Sequence, residues 1–216
     1  MPDLSTNLHL TMLEKRTTPQ GIYGLEWGDP DTIPHLSWIR DNFCKSFVRS
    51  DHVCAEIGPG GGRWTRYMLG FSKIYAVDYH QELLDELART FRYDHITHIK
   101  NNGTDFPGVP DGSVDFVFSF GVFVHLEPDI ADNYLSSMRR ILKPAGRVVL
   151  QYADKSKPMA AGNKGFANNR PALMRQLVMD HGYFIEAENL TVLPHSAIIQ
   201  FACGPDDLAS GQVFTG

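Results

Sequence analysis

The chain has 216 residues, with 43% apolar and 21% charged positions and a formal net charge of −5. This composition is typical of a soluble globular protein with one substantial core, and the negative charge disfavours nucleic acid as a partner. The three cysteines cannot all pair and match no zinc-site spacing, so we expect no metal ion and free thiols at Cys44, Cys54 and Cys203.

The first 48 residues are predicted to form a segment outside the main domain. They lack a signal peptide, and no apolar run in the chain reaches the roughly 20 residues of a membrane span, which favours a cytoplasmic location without membrane contact. Residues 33–48 have the spacing of a helix whose packing face is Leu36, Ile39, Phe43 and Phe47. We therefore divide the chain into an N-terminal lid segment and helix (1–48), a main domain (49–205) and a tail (206–216).

Short apolar runs alternate with longer stretches of helical periodicity through the middle of the chain. The predicted helices are residues 63–69, 81–91 and 129–142. The predicted strands are residues 53–57, 74–78, 95–100, 114–120 and 146–152. Strands this apolar must be covered on both faces, which predicts a parallel sheet with helices on each side.

The end of the chain departs from this alternation. A predicted helix at residues 168–182 is followed by two apolar runs, 183–190 and 195–203, with only a short loop between them. Two strands joined in this way can pair antiparallel. The whole pattern predicts a doubly wound, Rossmann-like α/β fold, whose mostly parallel seven-stranded sheet ends in an antiparallel C-terminal hairpin.

Residues 58–62, Gly-Pro-Gly-Gly-Gly, follow the first predicted strand. Backbone without side chains lets a ligand approach the peptide groups directly, so we expect this stretch to bind a ligand rather than to pack. A dinucleotide would require glycine at the sixth position counted from Gly58, where the chain has Arg63. This argues against a nicotinamide-dependent oxidoreductase, which remains an alternative.

An acid followed by alternating glycines, Glu56, Gly58, Gly60 and Gly62, resembles the first motif of class I S-adenosylmethionine-dependent methyltransferases. The resemblance covers residues 53–152, and the C-terminal hairpin agrees with the sheet of that family. It implies that S-adenosylmethionine is the cofactor and S-adenosylhomocysteine (SAH) the product. From the residues alone, Glu56 is equally well explained as a buried acid that orders the loop.

The resemblance also implies further cofactor-binding residues. Asp78 would bind the ribose hydroxyls, although its position also suits a cap on the following helix. In residues 101–107 the adenine contact is expected from Asp105, with Asn102 as an alternative, although the same residues suit an ordinary turn. The complete predicted set is Glu56, Gly58, Pro59, Gly60, Asp78, Tyr79, Thr104, Asp105 and Phe120.

The end of the fourth strand, residues 119–129, is where acceptor and methyl group are expected to meet, because open α/β sheets bind ligands beyond their carboxyl ends. Residues 119–122 lack the Asn/Asp-Pro-Pro-aromatic stretch of methyltransferases that act on nucleic-acid bases. His125 resembles a histidine of small-molecule methyltransferases and would act as general base, unless it only braces the next helix. We expect transfer to oxygen or nitrogen of a small-molecule acceptor, with a catalytically idle cofactor-binding protein as the other alternative.

Substrate recognition is expected from segments outside the shared core. Residues 22–31 combine aromatic and turn residues, which suits a lid, and the long loop at 153–170 is typical of a functional connection. The predicted pocket and lid residues are Tyr23, Trp27, Tyr152 and His195. Taken singly, each of these aromatics is also explained by packing, and the sequence leaves the oligomeric state open.

Overall fold

The computed structural model describes residues 22–204, so the predicted tail and the first part of the lid segment lie outside the described residues. The strands are β1 (Val53–Ile57), β2 (Lys73–Asp78), β3 (Ile96–Lys100), β4 (Val114–Ser119), β5 (Leu142–Ala153), β6 (Phe184–Asn189) and β7 (Ser196–Ala202). They form one sheet in the order β3-β2-β1-β4-β5-β7-β6. The first five strands are parallel, and β7 pairs antiparallel with both β5 and β6. The predicted fold and its C-terminal hairpin are confirmed.

The helices are α1 (Pro34–Ile39), α2 (Gln81–Thr90), α3 (Pro128–Ile141), α4 (Pro158–Ala161) and α5 (Pro171–Asp180). Proline opens every one of them except α2. Proline is well tolerated there because the first residues of a helix have no intrahelical partner for their N–H groups.

The segment predicted as one helix at residues 33–48 is less regular than expected. After α1 it continues as a π turn, Arg40–Cys44, and a 3₁₀ turn, Lys45–Phe47. Its apolar stripe still packs as predicted, because Leu36, Ile39 and Phe43 are buried in the core. Phe47 stacks on Phe116 with ring centroids 4.6 Å apart.

The helix predicted at residues 63–69 is wrong. The chain has only a 3₁₀ turn, Thr65–Tyr67, between β1 and β2. The five residues that precede this segment contain four glycines, which leaves a short connection with little helix propensity. Trp64, Thr65 and Met68 are nevertheless buried, so the segment covers the sheet without being a regular helix.

Both faces of the sheet are covered, as the apolar strands predicted. On one face, residues such as Val117 and Leu150 pack with side chains of α3 and α5. On the other, residues such as Phe118 and Val149 pack with α1 and α2. Within residues 22–204, no helix combines the length and the apolar character needed to cross a bilayer.

Candidate active site

Three neighbouring strands end at the same edge of the sheet. β1 lies between β2 and β4, with Ile57 paired to Val77 on one side and to Ser119 on the other. Residues 58–62, called the glycine loop below, therefore leave the sheet beside Asp78 and Phe120. This is the carboxyl edge, where open α/β sheets bind their ligands.

The glycine loop is packed more closely than the sequence suggested. A Cβ atom on Gly58 would lie 2.1 Å from Val122 Cγ2, and one on Gly62 would lie 2.0 Å from the Phe91 ring. The expectation that this stretch packs against nothing is wrong, because its glycines make room for the protein's own side chains. Gly58 and Gly62 also have φ angles of 69° and 98°, in the left-handed region that favours glycine.

The predicted lid residues Tyr23 and Trp27 lie next to this loop. A Cβ atom on Gly60 would lie 3.3 Å from the Tyr23 ring, and one on Gly61 would lie 2.4 Å from the Tyr23 backbone nitrogen. Tyr23 is buried, whereas Trp27, whose ring packs edge-on against it at 5.3 Å, is 49% exposed. The N-terminal segment thus covers the glycine loop with one aromatic side chain and presents the other to solvent.

Glu56 is buried at the end of β1 and accepts a hydrogen bond from Thr65 Oγ1 at 2.6 Å. Burial raises the pKa of Glu56 to about 8, the Thr65 hydroxyl opposes this shift, and the negative charge of Asp78 adds to it. The bond from Thr65 spans the glycine loop from one end to the other. Glu56 therefore orders the loop, as one of the two interpretations of the sequence had it.

Asp78 is buried at the end of β2, and its Oδ1 accepts a hydrogen bond from the backbone N–H of His80 at 2.8 Å. Burial raises the pKa of Asp78 to about 7, while backbone hydrogen bonds from His80, Tyr79 and Gly60 act in the opposite direction. Asp78 consequently joins the glycine loop to the start of α2. The carboxyl group both supports the helix start and faces the loop.

The loop after β3 is held by its own polar side chains. Asp105 Oδ1 accepts from the Asn102 N–H at 3.0 Å, and Asn102 Oδ1 accepts from both the backbone N–H and the hydroxyl of Thr104. The turn interpretation of these residues is therefore correct for the geometry of the chain. Tyr79 lies over this loop, since a Cβ atom on Gly103 would be 3.5 Å from its ring.

Arg63 is a buried cation beside the glycine loop. Its guanidinium lies 5.6 Å from the ring centroids of Trp64 and Phe120, and its Nη2 donates to the Trp27 carbonyl at 3.2 Å. Arg63 Nε is buried without a hydrogen-bond partner, and no carboxylate among residues 22–204 forms an ion pair with this side chain. Burial lowers the pKa of Arg63 to about 10.

His125 follows β4 and is half-buried. Its Nδ1 lies 2.8 Å from the Gly165 carbonyl oxygen. Because a carbonyl only accepts, Nδ1 must carry the proton, and the lone pair of a neutral ring is then on Nε2. Phe166 packs edge-on between the rings of His125 and His195, at centroid distances of 5.5 and 5.3 Å.

Tyr152 does not join these residues at the surface of the cleft. It is 0% exposed and belongs to the core cluster packed against α3 and α5. The structure therefore gives Tyr152 a packing role. Within the described part of the chain, no group of three or more His, Cys, Asp or Glu side chains is arranged to hold a metal ion.

Comparison with known proteins decides the family. Residues 55–150 match the model of a methyltransferase domain, and this range contains the glycine loop, Asp78 and His125. This is a class I S-adenosylmethionine-dependent methyltransferase, and S-adenosylmethionine is its cofactor. The resemblance drawn from Glu56 and the alternating glycines is confirmed.

Solved structures share the fold of this methyltransferase. A SAM-dependent methyltransferase from Aquifex aeolicus is 17% identical, with a TM-score of 0.62 over 90% of this chain and 98% of that one. Magnesium protoporphyrin IX methyltransferase from Synechocystis, with bound SAH, is 14% identical, with a TM-score of 0.65 over 94% and 96%. A sarcosine dimethylglycine methyltransferase, so described provisionally, from Galdieria sulphuraria is 14% identical, with a TM-score of 0.63 over 77% and 83%.

The residues of the carboxyl edge fit this cofactor chemically. Asp78 offers a buried carboxyl group for the ribose hydroxyls, and Arg63 offers a buried guanidinium without an acidic partner for the amino-acid carboxylate. The sequence analysis had considered Arg63 only as an obstacle to a dinucleotide. Its place between Trp64 and Phe120 depends on contacts between β4 and the loop, which the order of residues alone does not reveal.

Proposed function

We propose that this methyltransferase transfers the methyl group of S-adenosylmethionine to an oxygen or nitrogen atom of a small-molecule acceptor, with His125 as the general base. The observation that carries this proposal is the 2.8 Å contact between His125 Nδ1 and the Gly165 carbonyl. It holds the ring in the tautomer whose Nε2 accepts a proton. His125 also follows β4, at the edge where the cofactor-binding residues lie.

The cofactor-binding roles follow the chemistry of each side chain. Asp78 accepts hydrogen bonds from the ribose hydroxyls, and Arg63 pairs with the carboxylate of the amino-acid part. Glu56, Gly58, Pro59 and Gly60 form the wall beside that amino-acid part. Around the adenine we place Tyr79, Thr104, Asp105 and Phe120.

The bound cofactor supplies an electrophilic methyl group on a sulfonium centre, and the protein has to align the acceptor with it and remove a proton. Alignment is worth roughly 7–11 kcal/mol in well-oriented reactions, and a positioned base typically adds ~10²–10⁴-fold. His125 takes the acceptor's proton on Nε2, and the Gly165 carbonyl stabilises the positive ring that results. Residues 22–31 act as the lid, with Tyr23 and Trp27 on its inner and outer sides.

The test is a comparison of binding with turnover. His125→Asn should bind SAH as the natural protein does, measured by calorimetry, and should lose about 10²–10⁴-fold in the transfer of a labelled methyl group to a panel of small acceptors. His181→Gln is the matched control, because His181 pairs with Asp132 beyond the end of α5. Unchanged turnover in His125→Asn contradicts the base role, and SAH binding without transfer to any acceptor favours the idle alternative.

A further inference from the structure

A second histidine beside the proposed base has no use in the mechanism so far. His195 precedes β7, and its ring contacts Phe166 on the side opposite His125. Its Nδ1 is buried and makes no hydrogen bond with any residue in the range 22–204. A buried polar atom left without a partner is rare in native proteins, so this ring calls for an explanation.

The backbone around His195 is fixed at three points. Lys157 Nζ donates to the carbonyl oxygens of Leu193 and Ser196, each at 2.7 Å, and the Asp154 N–H donates to the His195 carbonyl at 3.2 Å. The imidazole is therefore held on a rigid support, although it belongs to the connection between β6 and β7. A ligand that binds this ring meets a preorganised group.

The charges that face His195 are positive. Burial lowers the pKa of His195, and the positive charges of Lys157, His35 and His125 lower it further. These groups come from α1, from the segment after β4 and from the segment after β5, and no carboxylate is among the charges that shift this pKa. The nearest acid along the chain, Asp154, is occupied by the Ser156 N–H and hydroxyl and lies 3.9 Å from Lys157 Nζ.

We infer that the acceptor carries a carboxylate group, which binds to His195 with His35 beside it, while Phe166 contacts the apolar body of the acceptor. This inference rests on the proposed function, since it concerns the substrate of the same site. A carboxylate supplies the hydrogen-bond partner that His195 lacks and the negative charge that this group of cations lacks. Phe166 then separates the group that binds the acid from His125, which takes the proton.

The experiment uses SAH-loaded protein and small acids matched with their neutral amides. Benzoate, 3-phenylpropionate and hexanoate, each beside its amide, are titrated while the imidazole Cε1–H signals of His195 are followed by NMR. At least one acid should shift the His195 signals and raise the pKa of His195, because a nearby carboxylate stabilises the charged ring, and its amide should do neither. Binding of that acid should weaken as the pH rises through the raised pKa of His195.

Variants make the result specific. His195→Gln and the exposed His35→Gln should each weaken binding of the acid by about tenfold, with SAH binding unchanged, whereas His181→Gln should alter neither. Equal effects of acids and amides, no effect of any acid, or tighter binding of phenyl phosphate than of every carboxylate would overturn the inference. Calorimetry with SAH on the same samples separates the two ideas, because loss of SAH binding contradicts the proposed function instead.

Discussion

Thr65 Oγ1 donates a 2.6 Å hydrogen bond to Glu56 Oε2, and both side chains are buried. One residue ends β1 and the other begins the 3₁₀ turn after the glycine loop. This single bond therefore closes the loop across its two ends. A carboxyl group that is buried with one hydroxyl partner makes the loop sensitive to substitution and to pH.

Removal of the hydroxyl should destabilise the protein. Thr65→Val keeps the shape of the side chain but leaves Glu56 without its donor, which should lower the free energy of unfolding by about 1–3 kcal/mol. Urea denaturation of the natural protein, Thr65→Val and the control Thr65→Ser measures this difference. A Thr65→Val protein as stable as Thr65→Ser would show that the bond contributes nothing.

The buried acids predict a particular pH dependence for the ligand-free protein. Burial raises the pKa of Glu56 from 4.5 to about 8 and that of Asp78 from 3.8 to about 7. Between about pH 4 and pH 8 the folded state thus binds more protons at these groups than the unfolded state, so their contribution to stability falls as the pH rises. The melting temperature should decline over this range, and less steeply in Glu56→Gln. A decline that is equally steep in Glu56→Gln would contradict this assignment.

Alanine at Gly62 should cost much more than alanine at an open glycine. Gly62 has a φ of 98°, and its Cβ atom would lie 2.0 Å from the Phe91 ring, whereas Gly108 has a φ of 75° with nothing within 4 Å. We expect Gly108→Ala to cost about 1–2 kcal/mol for its backbone angle alone, and Gly62→Ala to cost roughly 3 kcal/mol or more. Adding Phe91→Ala should recover part of the difference. Equal costs at the two glycines, measured by urea denaturation, would rule out the packing argument.

Arg63 gives a prediction with two opposite signs. Arg63→Met removes a buried charge that has no acidic partner, so the ligand-free protein should become no less stable, or more so. The same change should weaken SAH binding by about 10–100-fold, because the carboxylate of SAH loses a charge-assisted bond. Binding of 5′-methylthioadenosine, which lacks that carboxylate, should stay the same. Arg89→Met on the exposed face of α2 is the control, and equal losses for the two ligands would place Arg63 elsewhere.

The sequence predicted what depends on neighbouring positions. Asp78 and the glycine loop were found because a strand end is visible as the last residue of an apolar run. The helix at residues 63–69 was predicted from periodicity, but the glycines before it shorten the connection and favour turns. Tyr152 was assigned to a pocket because a strand buried on both faces gives no sign of which aromatic faces the core.

What the sequence did not reveal depends on distant segments. His125 meets the Gly165 carbonyl across the loop after β5, and His35, Lys157 and His195 come together from three separate parts of the chain. No spacing rule connects such positions. The close packing of Tyr23 on the glycine loop has the same origin, since it joins the lid segment to a loop nearly forty residues away.

A crystal structure with SAH tests the central claim, that the glycine loop, Asp78 and Arg63 form the cofactor site. We predict the ribose hydroxyls within hydrogen-bond distance of the Asp78 carboxyl oxygens, the SAH carboxylate on the Arg63 guanidinium, and Tyr23 against the bound ligand. Asp78 bonded only to the backbone of its own chain, with SAH bound elsewhere, would contradict the account.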